Sequence, residues 1–543
     1  MSKKTVTDVL IIGSGAGAAP MALKLARNGI KVTILEKGDW IPRDAISEDE
    51  LAQIQLEMNR PSEESDPTVV KSNDEIVSEA SRVGQSFYLV GGGTIRYAAT
   101  SWRFRPQDFT KLSTYGSVAG SSLCDWPITY EDLEPYYTEA EYEIGISGVA
   151  GADPTEPFRS KNVMMPPLKG DIFQKRLTRA AKKLGWKPFP IPIAIHSEYN
   201  SNTGATQCMQ CGWCSGYPCR FMSKSSVDIV IYPRAQKTGN FTLKTHSNVT
   251  QIVMDQKGKV TGAEFIDLKT GKTEFIGCRI LVVAASAIQT TRLLLLSANS
   301  KFPKGLGNSS NMLGKNLMFH IEAKASALFD DEFHQGLYKK VGIHDFYFPK
   351  KNESFINHCS LQSGSKAAPI SFALSKPGFG KSFMEELRSK FLHTQEVQCM
   401  IEDLPQLENR VVLSESKKDL WGASSPEIHH LYHDQDKKAV TFALEKARQL
   451  LETAGGKEIQ IPKVHDNITG RYTWHLMGTA RMGIDPAQSV VNANCQVHDI
   501  PNLFISDGSL FCTSAGINPT LTIQALSFRT ADKMMAMMKE GKI

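Results

Sequence analysis

Val9-Leu10-Ile11-Ile12 is an unbroken apolar run, the pattern of a strand buried on both faces within a parallel sheet. A glycine turn, a helical stretch and a second strand ending at Leu35 follow it, which predicts the opening of a doubly wound nucleotide-binding unit. From Ile41 to Asn73 the chain is charged and weakly periodic, and is read as a helical excursion over one face of a site. Alternating stretches between Phe241 and Val283, broken at Gly258 and Gly271, predict antiparallel hairpins that end in a buried strand from Ile280 to Ala284. Ile321 to Leu451 mixes short strands with one clear helix, Val440 to Ala454, stopped by Gly455-Gly456. The final segment returns to strand, turn and helix, with Leu503-Phe504-Ile505 as a buried strand and Thr520 to Met537 as a long helix.

At 543 residues the chain exceeds one simple core, and the periodicities imply several interleaved units. A net charge of +5 without a long basic block gives no reason to expect nucleic acid or an anionic membrane as partner. The most apolar stretch, Ile280 to Leu296, is interrupted by Ser286, Gln289, Thr290, Thr291 and Arg292, so an integral membrane protein is not expected. The first strand starts too early to leave room for a signal peptide ahead of it. Met534, Met535, Met537 and Met538 near the end of the last helix read as core packing or a contact surface.

Gly13-Ser14-Gly15-Ala16-Gly17-Ala18 lies between a buried strand and a helix, so backbone N–H groups there can meet a pyrophosphate without a side chain intervening. Glu36, at the end of the second strand, is placed to accept hydrogen bonds from ribose hydroxyls. The fingerprint does not separate FAD from NAD. Cys208, Cys211, Cys214 and Cys219 cluster in one loop, four soft ligands sufficient for an iron–sulfur cluster or a tetrahedral zinc; three evenly spaced thiolates favour the former.

Further motifs carry a family resemblance. They are Val90-Gly91-Gly92-Gly93-Thr94 with Ala98-Ala99 and Ser101-Trp102-Arg103-Phe104, and Asp125-Trp126-Pro127-Ile128 with Tyr130, Leu133, Pro135, Tyr136 and Tyr137. Then come Ala284-Ala285-Ser286-Ala287-Ile288-Gln289-Thr290, Leu313-Gly314-Lys315-Asn316-Leu317 with His320, and Pro405-Gln406 with Glu408-Asn409-Arg410. In this order they resemble the glucose–methanol–choline (GMC) oxidoreductases from end to end. The chain is most similar to bacterial FAD-dependent catalytic subunits of the gluconate 2-dehydrogenase, glucose dehydrogenase and glucoside 3-dehydrogenase type.

The resemblance implies an α/β fold, α+β overall, with a Rossmann-like FAD-binding domain assembled from discontinuous segments and a substrate domain of antiparallel sheet and helices. The FAD domain would take residues 1–110, 226–320 and 456–543, with a cap and linker region carrying the cysteines at 111–225 and the substrate domain at 321–455. Gly92, Gly93 and Thr94 match the family's flavin-contacting segment, Asp507-Gly508-Ser509 its late flavin-binding turn, and Thr520 opens the helix beyond. Arg96 stands where some relatives carry a flavin-linking His, which implies noncovalent FAD.

Trp474-His475-Leu476-Met477-Gly478-Thr479 is similar to the family's active-site segment, which makes His475 the base that takes the hydroxyl proton as hydride leaves for flavin N5. Asn518, in Gly516-Ile517-Asn518-Pro519-Thr520, matches the residue opposite, holding the substrate oxygen. His320, His465 and His498 lack such a partner and are read as packing residues, with His320 near a domain interface. The implied reaction is oxidation of a hydroxyl of a sugar, sugar acid, glucoside or polyol. The resemblance extends to the cysteines as a [3Fe–4S] or [4Fe–4S] relay, although Arg220 stands where those relatives carry a proline. Electrons would pass to a cytochrome c or quinone-linked acceptor, and a small subunit carrying an export signal would bring the protein to the periplasm; otherwise it stays in the cytoplasm. The alternatives are an oxidase of the same fold that uses oxygen without a cluster, an NAD-dependent dehydrogenase and a flavin carrier without turnover.

Overall fold

The computed structural model describes residues 6–55, 60–72, 75–81, 83–84, 86–333, 339–364, 369–464 and 475–543. In chain order the strands are β1 (Val6–Ile12), β2 (Val32–Leu35), β3 (Thr68–Ser72), β4 (Glu75–Ser81), β5 (Phe189–Pro190), β6 (Phe241–Lys244), β7 (Ser247–Met254), β8 (Val260–Asp267) and β9 (Thr273–Val283). They continue as β10 (Ile321–Leu328), β11 (Val341–Ile343), β12 (Cys359–Ser363), β13 (Thr394–Ile401), β14 (Arg410–Lys418), β15 (Ser424–His429), β16 (Lys457–Gln460) and β17 (Leu503–Ile505). The longer helices are α1 (Ala19–Arg27), α2 (Tyr130–Ile144), α3 (Ile172–Lys183), α4 (Ala287–Leu296), α5 (Gly380–Lys390), α6 (Asp434–Thr453) and α7 (Thr520–Lys539).

The strands form three sheets, giving the mixed α/β architecture. In the first, β6, β2, β1 and β9 run parallel, with β8 and β7 antiparallel beyond. On its edge away from β1, β9 serves two neighbours: Thr273–Gly277 pairs with β8, and Leu281–Val283 pairs in parallel with β17. The apolar run in β1 has a simple cause. Val9 and Ile11 pack in one core with α1, while Leu10 and Ile12 pack in the core on the other face with α7 residues such as Leu521 and Ala525. Of the four methionines near the end of α7, Met534 is buried and the other three are partly buried against the first of these cores.

The second sheet, in the order β16, β10, β13, β12, β11, β5, is antiparallel throughout. Along β10 the side chains alternate: Ala323, Ala325 and Ala327 are buried with Ala443, Ala447 and Leu451 of α6, and Glu322, Lys324 and Ser326 line a large cavity on the opposite face. The third sheet joins β14, β15, β3 and β4.

Two expectations need correction. Among its described residues the segment after Ile41 has a short 3-10 turn at Arg43–Ala45, a π-type turn at Leu51–Gln55 and then β3. Val69 and Val70 are buried by parallel pairing with β15, a partner far along the chain that local periodicity does not register. Helix α6 begins at Asp434 rather than Val440, because His433 and Asp436 cap its polar first turn reciprocally. Among the described residues, no helix is long and apolar enough to cross a membrane.

Candidate active site and cofactor cavity

A cavity of about 1430 Å³ runs from the β1 turn to the face of the second sheet. Gly13, Ser14, Gly15, Ala16 and Gly17 line one end. A Cβ on Gly13 would come within 2.5 Å of the Ala284 carbonyl oxygen, and one on Gly17 within 1.6 Å of that of Ser506. These two glycines let the turn press against β9 and β17. At Gly15 a Cβ would meet nothing within 4 Å; its place on the wall leaves room for a ligand against the backbone. Ala18 is fully buried in the core before α1, away from the wall.

Glu36 also lines this end. It accepts hydrogen bonds from Ser14 N (3.1 Å), Ser14 Oγ (2.6 Å) and Gly38 N (2.8 Å). Burial outweighs these bonds and raises its pKa above the usual carboxylate value. Ser14 Oγ also accepts from Gly91 N at 3.1 Å, tying the fingerprint to the second glycine segment, where Gly92, Gly93 and Thr94 line the cavity. Arg96 donates to the carbonyls of Gln53 (2.8 Å) and Gly216 (2.9 Å).

Asp507 accepts from Ser286 N (3.1 Å), Thr290 Oγ1 (2.5 Å) and Ser509 N (2.9 Å), so it pins the late turn to the start of α4. The Gly508 carbonyl accepts from Gly478 N at 3.0 Å, which couples that turn to the segment carrying His475. Gly508, Asn518 and Thr520 line the wall beside it.

His475 and Asn518 are brought together, Asn518 Nδ2 lying 3.2 Å from His475 Nε2. Trp474 lies outside the described residues, as does His465. His498 bonds to Ser489 Oγ at 2.9 Å, a packing role. His320 does not conform to the packing reading: its Nδ1 is 2.8 Å from His475 Nδ1, with the rings edge to face.

The protons in this chain follow from its ends. His320 Nε2 faces the carbonyl oxygens of Ser514 (2.8 Å) and Ala515 (2.9 Å), which only accept, so Nε2 carries the hydrogen. In the neutral ring His320 Nδ1 then accepts, and His475 Nδ1 donates to it. His475 Nε2 is left unprotonated, its lone pair able to accept. At the other end, Trp102 Nε1 only donates, 3.1 Å from Asn518 Oδ1, with Gln362 Nε2 adding a longer contact of 3.4 Å. That fixes the amide with its NH2 toward His475 Nε2. Burial first, then the charges that His320 and Lys339 would carry, hold the His475 pKa well below the ordinary imidazole value. Neutral His475 with an unprotonated Nε2 on the cavity wall is the required form of a base.

Two family models match this chain, the N-terminal GMC oxidoreductase model over residues 88–322 and the C-terminal one over residues 405–527. The chain belongs to the GMC oxidoreductase family. It is 34% identical to a 2-methyl-1,2-propanediol dehydrogenase of Mycolicibacterium austroafricanum, over 97% of this chain and 94% of that protein. It is 31% identical to the fructose dehydrogenase large subunit of Gluconobacter japonicus, over the whole of both chains. Formate oxidase of Aspergillus oryzae shares the fold with a TM-score of 0.68 and 15% identity, covering 99% of this chain and all of that one. As a GMC oxidoreductase the chain is an enzyme acting on CH–OH groups of alcohol or sugar type, with FAD as its cofactor. The open Gly15 position and the Glu36 carboxylate fit that dinucleotide.

The four cysteines occupy a loop against the same cavity, which Ser215, Gly216 and Tyr217 line. Cys214 is buried, Cys208 and Cys219 are half-buried and Cys211 is exposed. Cys219 Sγ accepts from Ser223 N and Lys224 N at 3.3 and 3.4 Å, and Cys208 Sγ from Gln210 N at 3.3 Å. Among the described residues, no group of three or more His, Cys, Asp or Glu side chains is arranged to hold a metal ion. All four cysteines nevertheless line one small pocket of their own.

Sequence reasoning missed His320, Trp102 and Gln362 as parts of the site. His320 and Trp102 both fell inside family motifs, which was the available signal; Gln362 carried none.

Proposed function

We propose that this enzyme is a dehydrogenase that oxidises a hydroxyl of a polar, polyhydroxylated substrate, with His475 removing the hydroxyl proton as hydride leaves the carbon. The single observation that carries the reading is the ordered chain from Ser514 and Ala515 through His320 and His475 to Asn518, which leaves His475 Nε2 unprotonated, its lone pair accepting from Asn518 until a substrate hydroxyl takes that place. FAD, when bound, supplies the hydride acceptor. Asn518 Nδ2, already turned toward the base, donates to the substrate oxygen and holds it within reach of His475 Nε2. Glu322, Lys324, Ser326 and Gln398 line the substrate half, which supports a hydroxyl-rich substrate over an apolar alcohol. Anaerobic mixing with sugars, aldonates and polyols should bleach the flavin of the wild type, and His475→Ala should abolish bleaching while keeping FAD. Bleaching at an unchanged rate in the variant would overturn the assignment of the base.

The cysteine loop supports a dehydrogenase reading over an oxidase one. It touches the cofactor cavity, and its N–H groups already point at two of the sulfurs, as they do around iron–sulfur thiolates. Stoichiometric iron and acid-labile sulfide in anaerobically prepared protein would establish the relay and direct attention to a cytochrome and a small subunit; FAD without either, with peroxide formed in air, would make the enzyme an oxidase.

A further inference from the structure

Lys339 lines the cavity with His475, yet is only 6% exposed. No hydrogen bond or salt bridge holds its Nζ among the described residues. Its acidic neighbour Glu322 is engaged elsewhere, 3.2 Å from Lys324 Nζ, and Lys324 in turn reaches Glu396 at 3.9 Å. Lys339, Glu322 and His475 line one cavity, Glu322 follows the His475 partner His320 by two residues, and the Lys339 charge is felt at both Glu322 and the His475 imidazole. Burial lowers its pKa to about 8, so it remains mostly protonated at neutral pH. The stem of Lys339 is buried while its ammonium opens to the cavity, and a charge drawn partly out of water in this way is stabilised by a counter-ion placed there. Here the missing partner faces a substrate cavity.

The surroundings have the matching sign. Lys376, Lys437 and Lys463 line the same cavity, and among its described lining residues eight Lys and Arg stand against five Asp and Glu. A basic lining concentrates anions at the mouth. A single ammonium next to a carboxylate suits one negative charge, whereas a phosphate dianion calls for several convergent donors.

We infer that Lys339 anchors a carboxylate of the substrate, so that the compound oxidised beside His475 is a hydroxy acid of the aldonate class rather than a neutral polyol. This rests on the CH–OH reading of the site and deepens it. Lys339 holds the acid end while Asn518 holds the hydroxyl, two fixed points that select which carbon lies under the base.

The test separates binding from turnover. With the FAD-loaded His475→Ala protein, gluconate and sorbitol are titrated against the flavin absorbance, and gluconate is expected to bind at least tenfold tighter. Adding Lys339→Met should bring the two within threefold, whereas Lys339→Arg should keep most of the preference. Equal or tighter binding of sorbitol, no measurable binding of gluconate, or equal weakening of both by Lys339→Met would overturn the inference. A His475→Ala protein that still oxidises either compound at the wild-type rate would instead refute the role of the base and leave the binding ratio as an independent result.

Discussion

His475 Nδ1 lies 2.8 Å from His320 Nδ1, and two like nitrogens at that distance share a proton only if one ring donates and the other accepts. The backbone carbonyls behind His320 decide which, and so decide that the cavity-facing nitrogen of His475 is basic.

Replacing His320 should therefore affect turnover more than binding. For His320→Ala we expect kcat to fall on the order of 10- to 100-fold, the scale found when a group orienting a functional histidine is removed, with KM changed little. His320→Gln, whose amide oxygen can accept from Nδ1, should recover part of it. Steady-state kinetics of the two variants check this, and equal losses in both would argue against tautomer control.

His475→Ala removes the base itself, and flavin reduction should slow by roughly 10²- to 10⁴-fold. FAD content should be unchanged, because the fingerprint glycines and Glu36 lie at the other end of the cavity. Stopped-flow reduction and the bound flavin spectrum measure the two effects separately.

The pH profile has a defined sign. His475 must be neutral to act, and its pKa is held well below the ordinary value, chiefly by burial. Activity should persist below pH 6.5, the ordinary imidazole value, and fall only at lower pH. Lys339→Met removes one depressing charge, so that limb should move to higher pH. The same depression bears on stability: between the folded pKa and the unfolded one the unfolded chain binds more protons, so this contribution is complete above the unfolded value and is lost as pH falls toward the folded one. Plots of kcat/KM against pH for both proteins provide the check.

Gly15 and Gly17 should respond differently to the same substitution. Gly17→Ala drives a methyl to 1.6 Å from the Ser506 carbonyl oxygen, backbone that cannot step aside, and should cost about 3 kcal/mol or more. Gly15→Ala meets nothing within 4 Å and should fold normally while binding FAD more weakly. Thermal melts and FAD titration of the two proteins distinguish a packing glycine from a ligand-facing one.

Much of the site was legible because its parts are local. The β1 run, the glycine fingerprint, Glu36, the Gly92–Thr94 turn and Asp507-Gly508 each declare themselves within a few residues, since close backbone approach and helix termini impose their residue types on short stretches. His475 and Asn518 were likewise readable as members of two family motifs. The cysteine spacing was equally plain, but spacing does not show whether sulfurs converge, and in the folded loop they do not form a metal-holding group.

The sequence by itself determined the fold class, the dinucleotide fingerprint and His475 as the candidate base. The tertiary structure alone decided the protonation pattern, because His320 and His475 are 155 residues apart and Trp102 and Asn518 are 416 apart, and each pair meets only where the sheets pack. It also decided that Lys339, with no hydrogen bond or salt bridge among the described residues, faces the same cavity. Hydrogen-bond direction and ion pairing depend on which groups lie within about 3 Å in space, and no local pattern of residues encodes that.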